Sequence, residues 1–305
     1  MNIIKFVEAY PDESSCKLHF KKVREQQGIK CKNCGCEKHY WLQDKLQWQC
    51  SECRFRTTLR SGTMMENSKL PFRMWFLALA FMSFTKKGIS ATEMQRQLEH
   101  KRYEPIWRMM HKIRQAMGNR DSLYELDGSI EFDEGHFETE QNAATKSKLK
   151  RGRGSQRQVN VAVMAESTPL EDIETGKKSS HCRYFKMKVL DSFEKQEINN
   201  VIQQNISETT IVFSDKSTSY VNISDFVEVH ITEKSDDETT KTTLRWVHIA
   251  ISNAKRTLLG IYHKIKGKYL QLYLDEFCYK LNRRYFGEKL FDRLLIAVSD
   301  NLVAK

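Results

Sequence analysis

Four cysteines in two Cys-x-x-Cys pairs constrain the fold of this chain more than any other feature of its sequence. The pairs are Cys31/Cys34 and Cys50/Cys53, with fifteen residues between them. Each pair can present two thiolates on a tight turn, and an intervening hairpin brings all four around one tetrahedral ion. We therefore expect a zinc ribbon with structural Zn²⁺ bound by these four side chains. A disulfide framework is the alternative, but the N-terminal residues lack the pattern of an export signal, so we expect a cytoplasmic protein with reduced thiols.

The positive charge of the chain is concentrated in its first part. The formal net charge is +11, and residues 1–120 contain 23 Lys and Arg against 11 Asp and Glu. Residues 121–305 contain 27 against 28. A basic segment beside a neutral one indicates a polyanionic partner for the basic segment, although a basic surface that serves solubility is an alternative. The most apolar stretch, residues 70–84, is too short to span a bilayer and contains Arg73, so no membrane partner is expected.

Three short helices are predicted between the cysteines and residue 120. Pro71 suits the first turn of one helix, and Ser90 with Glu93 forms a capping box at the start of the next. In the third helix apolar residues recur at helical spacing, while Arg108 and Lys112 lie elsewhere around its axis. The pattern is typical of a DNA-binding helix-turn-helix and equally of an ordinary three-helix packing unit.

The second half of the chain changes to strands followed by helices. Strands are predicted at residues 129–138, 159–165, 182–190, 210–213 and 226–231, and helices at residues 192–205, 252–265, 269–285 and 290–298. This order predicts an α/β fold, a mixed sheet flanked by helices. The predicted domains are residues 1–66 with the zinc ribbon, residues 67–120 with the helices, and residues 121–305 with the sheet.

Two aspartates stand at positions on predicted strands where functional sites gather. Asp133 lies within the first strand of the second half, and Asp215 ends a buried apolar strand. Two carboxylates brought together repel each other unless a divalent cation lies between them. For Asp215 alone, a turn or a helix cap is the competing explanation.

A basic segment separates the first two predicted strands. Residues 146–157 contain six Lys and Arg and no acid, and they include Lys148, Lys150, Arg151 and Arg153. Such a segment beside a carboxylate site indicates an anionic polymer as substrate, and a solvent-exposed surface loop is the alternative.

Four stretches of the sequence resemble a known family. They are the ribbon with the following SGTMMENSKLPFRMWFLA, the strand EFDEGHFE with its downstream KRGRGSQ, the strand end VFSDKSTSY, and the run that starts at WVHIAISNAKR and ends at NRR. Together they resemble the ISXO-type insertion-sequence transposases, in which a zinc ribbon precedes a DDE-superfamily catalytic domain with a ribonuclease-H-like fold.

The resemblance implies site residues for this chain. It makes Asp133 the first catalytic acid and Asp215 the second, it assigns the third position to Asn253, and it makes Lys255 or Arg256 the basic residue that follows. An amide binds a hard cation more weakly than a carboxylate does, so Glu276 is an alternative for the third position. His248, just before Asn253, either lines the site or packs beside the helix.

The resemblance also implies an activity and its partners. Mg²⁺ or Mn²⁺ at the aspartates would support cleavage of the transposon ends and strand transfer by attack of the 3′-hydroxyl on target DNA. The partners would be the terminal inverted repeats, the target DNA and further copies of the chain in a homo-oligomer. Arg108, Lys112 and the basic segment would contact DNA. A zinc-ribbon DNA-binding regulator with a non-catalytic second half and a structure-selective nuclease are the competing hypotheses.

Overall fold

A computed structural model describes most of the chain in two compact units. The described residues are 2–140, 158–171, 178–191, 195–216, 220, 222–234, 242–263 and 265–300. One unit comprises residues 1–120 with 285–305, and the other comprises residues 121–284. Of the helices described, none combines the length and the apolar composition needed to cross a bilayer.

The first unit contains helices around a small ribbon. Its elements are α1 (Ile3–Ala9), α2 (Glu13–Gln27), β1 (His39–Leu42), β2 (Gln47–Cys50), β3 (Arg56–Thr58), α3 (Phe72–Phe84), α4 (Ala91–Gln97), most of α5 (Tyr103–Ser122) and the last helix, α9 (Leu290–Ser299). The three strands form an antiparallel sheet in the order β1-β2-β3. The predicted capping box of α4 is present on one side, since the Ser90 hydroxyl accepts the Glu93 amide.

The unit boundary differs from the predicted domain boundary at the C-terminal end. Residues 121–305 were expected to form one domain, but α9 belongs to the first unit. Its Phe291 packs against Tyr10 and Phe76, with ring centroids 5.7 Å and 6.0 Å away. This aromatic burial explains the difference, because it gives the apolar side of α9 a partner far away in sequence.

The second unit is a five-stranded mixed sheet with helices packed on it. Its elements are β4 (Ser129–Glu138), β5 (Gln158–Glu171), β6 (Lys178–Leu190), α6 (Lys195–Asn205), β7 (Ile211–Asp215), β8 (Val229–Glu233), α7 (Arg245–Tyr262) and α8 (Leu270–Asn282). The strand order is β6-β5-β4-β7-β8. Strands β4, β5 and β6 pair antiparallel, whereas β7 pairs parallel with both β4 and β8. The predicted α/β fold is therefore confirmed.

Strand β4 is central in this sheet and alternates between two cores. Ile130 and Phe132 belong to a cluster with residues of α6, and Phe137 belongs to a cluster with residues of α7 and α8. Because successive side chains on a strand point to opposite faces, Glu131, Asp133 and Gly135 share the α7 face with Phe137.

Helix α7 begins earlier than the sequence predicts. It starts at Arg245 rather than at Ser252, and Leu244 before it provides no side-chain cap. The backbone amides of Trp246 and Val247 instead donate to the Glu131 carboxylate of β4, at 2.6 and 3.1 Å. A cap supplied from another strand leaves no local signature in the sequence around the helix start.

Candidate functional site

The four predicted zinc ligands come together in the ribbon. The Sγ atoms of Cys31, Cys34, Cys50 and Cys53 all lie within 4.8 Å of one another. A tetrahedral zinc with Zn–S bonds of about 2.3 Å separates its sulfur ligands by about 3.8 Å, so this cluster fits one such ion. The four side chains therefore support structural zinc.

The ribbon is held against α2 by contacts outside the cysteine cluster. Trp48 on β2 is buried and donates its indole N–H to Glu25 at 3.2 Å. The Arg24 guanidinium lies 5.5 Å from the Trp48 ring, and the Trp41 ring lies 4.9 Å from it. The fold of the ribbon consequently determines the packing on one side of α2.

Asp133 and Asp215 lie on adjacent parallel strands at the same level. Ser129, Ile130 and Glu131 of β4 pair with Ile211, Val212 and Phe213 of β7. The same offset, continued two residues further, sets Asp133 beside Asp215 on one face of the sheet. Neighbouring strands are about 4.8 Å apart, so the two carboxylates can reach a common ion.

The electrostatics of this pair favour a bound cation. Burial raises the pKa of Asp133, and repulsion from the Asp215 carboxylate raises it further, against hydrogen bonding from the Glu134 amide. Burial also raises the pKa of Glu134, against a hydrogen bond from the Tyr220 hydroxyl that lowers it, and the charges of Asp133 and Asp215 add to the increase. Among the described residues, the buried Oε1 of Glu134 has no hydrogen-bond donor. Asp133 and Asp215 therefore form a carboxylate pair suited to a hard divalent cation, and Glu134 adds negative charge from the other face of β4.

One side of α7 runs along β4 and brings a histidine to the aspartates. His248 Nε2 lies 3.7 Å from Asp133 Oδ2. Further along, Ile251 lies so near Gly135 that a Cβ added there would be 3.4 Å from Cγ1 of Ile251. This side of α7 therefore follows β4 outward from the acidic pair.

Lys255 continues this line, whereas Asn253 lies elsewhere on the helix. The Lys255 Nζ is 5.7 Å from the centre of the Phe137 ring. Asn253 is about 140° around the helix axis from His248, at about 100° per residue. Its Oδ1 accepts a 2.7 Å hydrogen bond from Arg256. The structure thus brings together Asp133, Asp215 and His248, and it directs Asn253 to another partner.

A cavity lies between β4 and α7 further along both elements from the acidic pair. It encloses about 310 Å³, and its lining includes His136, Phe137, Lys255, Leu259 and His263. Its lining combines the Phe137 ring, the Lys255 ammonium and the Glu138 carboxylate, so it offers apolar contacts together with charges of both signs.

Several predicted site residues have other partners in the structure. Glu276 is buried on α8, 3.8 Å from the Lys280 ammonium and 3.3 Å from the Tyr262 hydroxyl. The Lys112 ammonium donates to the Glu66 carbonyl at 2.7 Å. Arg108 is exposed and pairs with Glu104 at 2.6 Å.

The other predicted DNA contacts cannot be placed in the same way. Lys148, Lys150, Arg151 and Arg153 lie outside the residues that the structure describes.

Three residues in or beside the site were not predicted from the sequence, or were predicted only as one of two alternatives. Glu134 directly follows Asp133 on β4, and no motif in the sequence singles it out. For His248 the sequence left open whether it lines the site or packs beside the helix, although its spacing of seven from Lys255 places both on one side of a helix. Glu131 gave no signal, because its role depends on a helix more than a hundred residues later.

A four-cysteine ribbon together with an acidic site on the central strands of a mixed sheet defines a zinc-ribbon protein with a ribonuclease-H-like domain. Comparison with protein families extends this class assignment. The ISXO2-like transposase domain matches residues 125–282, slightly more than half of the chain, and the transposase zinc-ribbon domain matches residues 11–56. The chain belongs to the ISXO2-like transposase family, and the resemblance noted in the sequence is confirmed. A search of curated proteins found no match.

Proposed function

We propose that this protein is a DNA transposase that cleaves the ends of an insertion sequence and transfers them into target DNA. The observation that carries the proposal is the parallel register of β4 and β7, which, continued two residues beyond the last pair, sets Asp133 beside Asp215, where the two negative charges repel each other. Membership of the transposase family supports the same conclusion. Mg²⁺ or Mn²⁺ is the proposed ion, because carboxylate oxygens are the ligands that these cations prefer.

Asp133 and Asp215 would hold the metal, and Glu134 adds negative charge close to them. When bound, a divalent ion supplies Lewis-acid activation of the attacking hydroxyl group and stabilises the leaving oxygen. The residues themselves contribute position and charge. The DNA ends would lie across the edge of the sheet where β4 and β7 stop pairing, with the scissile phosphate facing both aspartates.

The third site position has two candidates that differ in their evidence. Family resemblance assigns it to Asn253, which remains a prediction. The 3.7 Å contact with Asp133 favours His248 instead. Lys255 lies on the same side of α7 as His248, and its ammonium is available for a DNA phosphate at the edge of the cavity. Replacing His248 and Asn253 separately by Ala distinguishes the two candidates.

DNA binding is proposed for the basic first unit and for the basic segment within the second. Of the two cations predicted to contact DNA from α5, Arg108 is the exposed one. The basic segment adds a run of positive charge that can neutralise phosphates, supplied by Lys148, Lys150, Arg151 and Arg153. Two transposon ends must be held together before transfer. We therefore propose a homo-oligomer assembled on DNA.

The test incubates the full chain with linear DNA that carries the flanking inverted repeats, with Mg²⁺ and a supercoiled target plasmid. Joined products are the expected result. Cleavage without joining would indicate a nuclease, and binding without any broken bond would indicate a regulator. Asp133→Asn and Asp215→Asn should each abolish both reactions and leave binding of the repeats unchanged.

A matched control makes the loss specific. Asp225 is an exposed acid in the same unit, in the turn before β8. Asp225→Asn removes the same charge away from the paired aspartates and should leave cleavage at the wild-type rate. Full activity in Asp133→Asn would contradict the assignment of the site.

A further inference from the structure

The first turn of α7 depends on a carboxylate from a distant part of the chain. The first amides of an α-helix have no partner within the helix, and Leu244, directly before α7, supplies no side-chain acceptor. Glu131 supplies it, since one oxygen, Oε2, accepts from both Trp246 and Val247. Its side chain is only 4% exposed, so water offers these amides little alternative.

The link formed by these two hydrogen bonds between Glu131 and α7 lies next to the acidic site. Glu131 and Asp133 are two residues apart on β4 and face the same side, and His248 directly follows the amide-donating Val247. The link therefore joins strand and helix at a point adjacent to both members of the 3.7 Å contact between Asp133 and His248. Rotation or retreat of the first turn of α7 would move the imidazole before it moved any other site residue.

We propose that Glu131 is a positioning residue: its carboxylate joins α7 to β4 and so sets the separation of His248 from Asp133. This inference rests on the proposed function for its catalytic consequence and on the hydrogen bonds alone for its structural part. Glu131 does not act on DNA, and its effect passes through the helix start. The remainder of α7 is held by apolar packing, with Val247, Ala250 and Ile251 in the core.

Two substitutions of Glu131 distinguish the need for an acceptor oxygen from the need for a side chain of this length. Glu131→Gln keeps an oxygen at the same reach, so it should preserve the link and retain cleavage within about threefold. Glu131→Asp keeps the charge but withdraws the oxygen by one methylene, which should displace the first turn and lower the single-turnover cleavage rate by about 100-fold, as a 1 Å misplacement can. Glu131→Ala should resemble Glu131→Asp, and the Gln/Asp pair carries the test if the Ala variant does not fold.

A control residue separates positioning from general stability. Glu166 on β5 is also buried, and it accepts from the Tyr124 hydroxyl at 2.8 Å and the Asp127 amide at 3.3 Å. Glu166→Ala removes a comparable buried acceptor from the adjacent strand. It should lower the melting temperature and leave cleavage, assayed well below that temperature, near the wild-type rate.

Hydrogen exchange provides a measurement that does not require activity. In Glu131→Asp the amides of Trp246 and Val247 should exchange at least about 10-fold faster, while those of β5 remain protected. Glu131→Gln and Glu166→Ala should leave both amides protected. Unchanged exchange in Glu131→Asp, or loss of cleavage in Glu131→Gln equal to that in Glu131→Asp, would overturn the inference. Should Asp133→Asn retain cleavage, the proposed function fails, and the exchange result still decides whether Glu131 holds the helix.

Discussion

A buried lysine in the second unit should destabilise the fold at neutral pH. Lys186 on β6 is only 4% exposed, and its ammonium donates to the Asn205 Oδ1 at 3.2 Å. Burial, reinforced by the charge of Lys188, lowers the pKa of Lys186 from 10.5 to about 8, although Asp121 and Glu125 act in the opposite direction. The side chain is therefore held in an environment that disfavours its charged form.

The magnitude follows from proton linkage. Below pH 8 the lysine is protonated in both states, and a pKa drop of this size corresponds to about 3 kcal/mol of lost stability. Between pH 8 and 10.5 the folded state loses its proton first, so this penalty decreases as the pH rises. Lys186→Met removes the charge with an unbranched apolar chain. After subtracting about 1 kcal/mol for the donor lost to Asn205, we expect a gain of about 2 kcal/mol at pH 7.

Calorimetry of the full chain measures this gain. For a unit of this size the melting transition should rise by about 4–8 °C at pH 7. At pH 9.5 the difference between Lys186→Met and wild type should shrink to less than half, because much of the penalty has then disappeared from the wild type. A variant that melts at or below the wild-type temperature at pH 7, or an advantage that is the same at both pH values, would refute the reasoning.

Three further predictions concern the two candidate metal sites. In metal-free protein Asp133→Asn should raise the melting temperature of the second unit, since it removes a buried charge that Asp215 repels, and a lowered value would contradict the electrostatic description of the site. Removing zinc with a chelator should unfold the ribbon, shift Trp48 fluorescence to longer wavelength and abolish binding of the inverted repeats; an unchanged spectrum would count against a structural zinc. Gly135→Ala should cost about 1–3 kcal/mol and slow cleavage, because its Cβ would be 3.0 Å from the Phe137 ring and would push α7 away from β4; wild-type stability by calorimetry would disprove that contact.

Local patterns sufficed for much of the architecture. The cysteine spacing predicted the cluster of four thiols, since each pair needs only its own tight turn and the hairpin between them is short. The alternation in residues 129–138 predicted β4 with the bounds that it has. The apolar run before Asp215 predicted β7, and parallel pairing with β4 explains why two acids so distant in sequence end at one level.

The placement of α9 and the bounds of β5 and β6 depend on contacts between residues far apart in sequence, which local patterns do not specify. Helix α9 has an apolar side that any core could bury, and nothing in residues 290–299 specifies that Phe291 contacts Tyr10 and Phe76. Strands β5 and β6 extend beyond their predicted bounds, to Glu171 and back to Lys178, because they pair with each other along their whole length. Pairing across strands compensates for segments of low β-propensity.

The start of α7 determines how the third site position is interpreted. A helix that began at Ser252 would expose Asn253 in its first turn, close to the strand ends, and would leave His248 in the preceding loop. Because the helix extends back to Arg245, where Glu131 accepts from its first amides, His248 lies within its first turn and Asn253 lies a turn and a half further along. The helix axis then passes along β4 from Asp133 to Phe137, and His248, Ile251 and Lys255 lie on the side that follows the strand. The start of α7 thus decides whether His248 belongs to the helix at all, and the acceptor on β4 that meets its first amides is a partner that motif spacing alone cannot reveal.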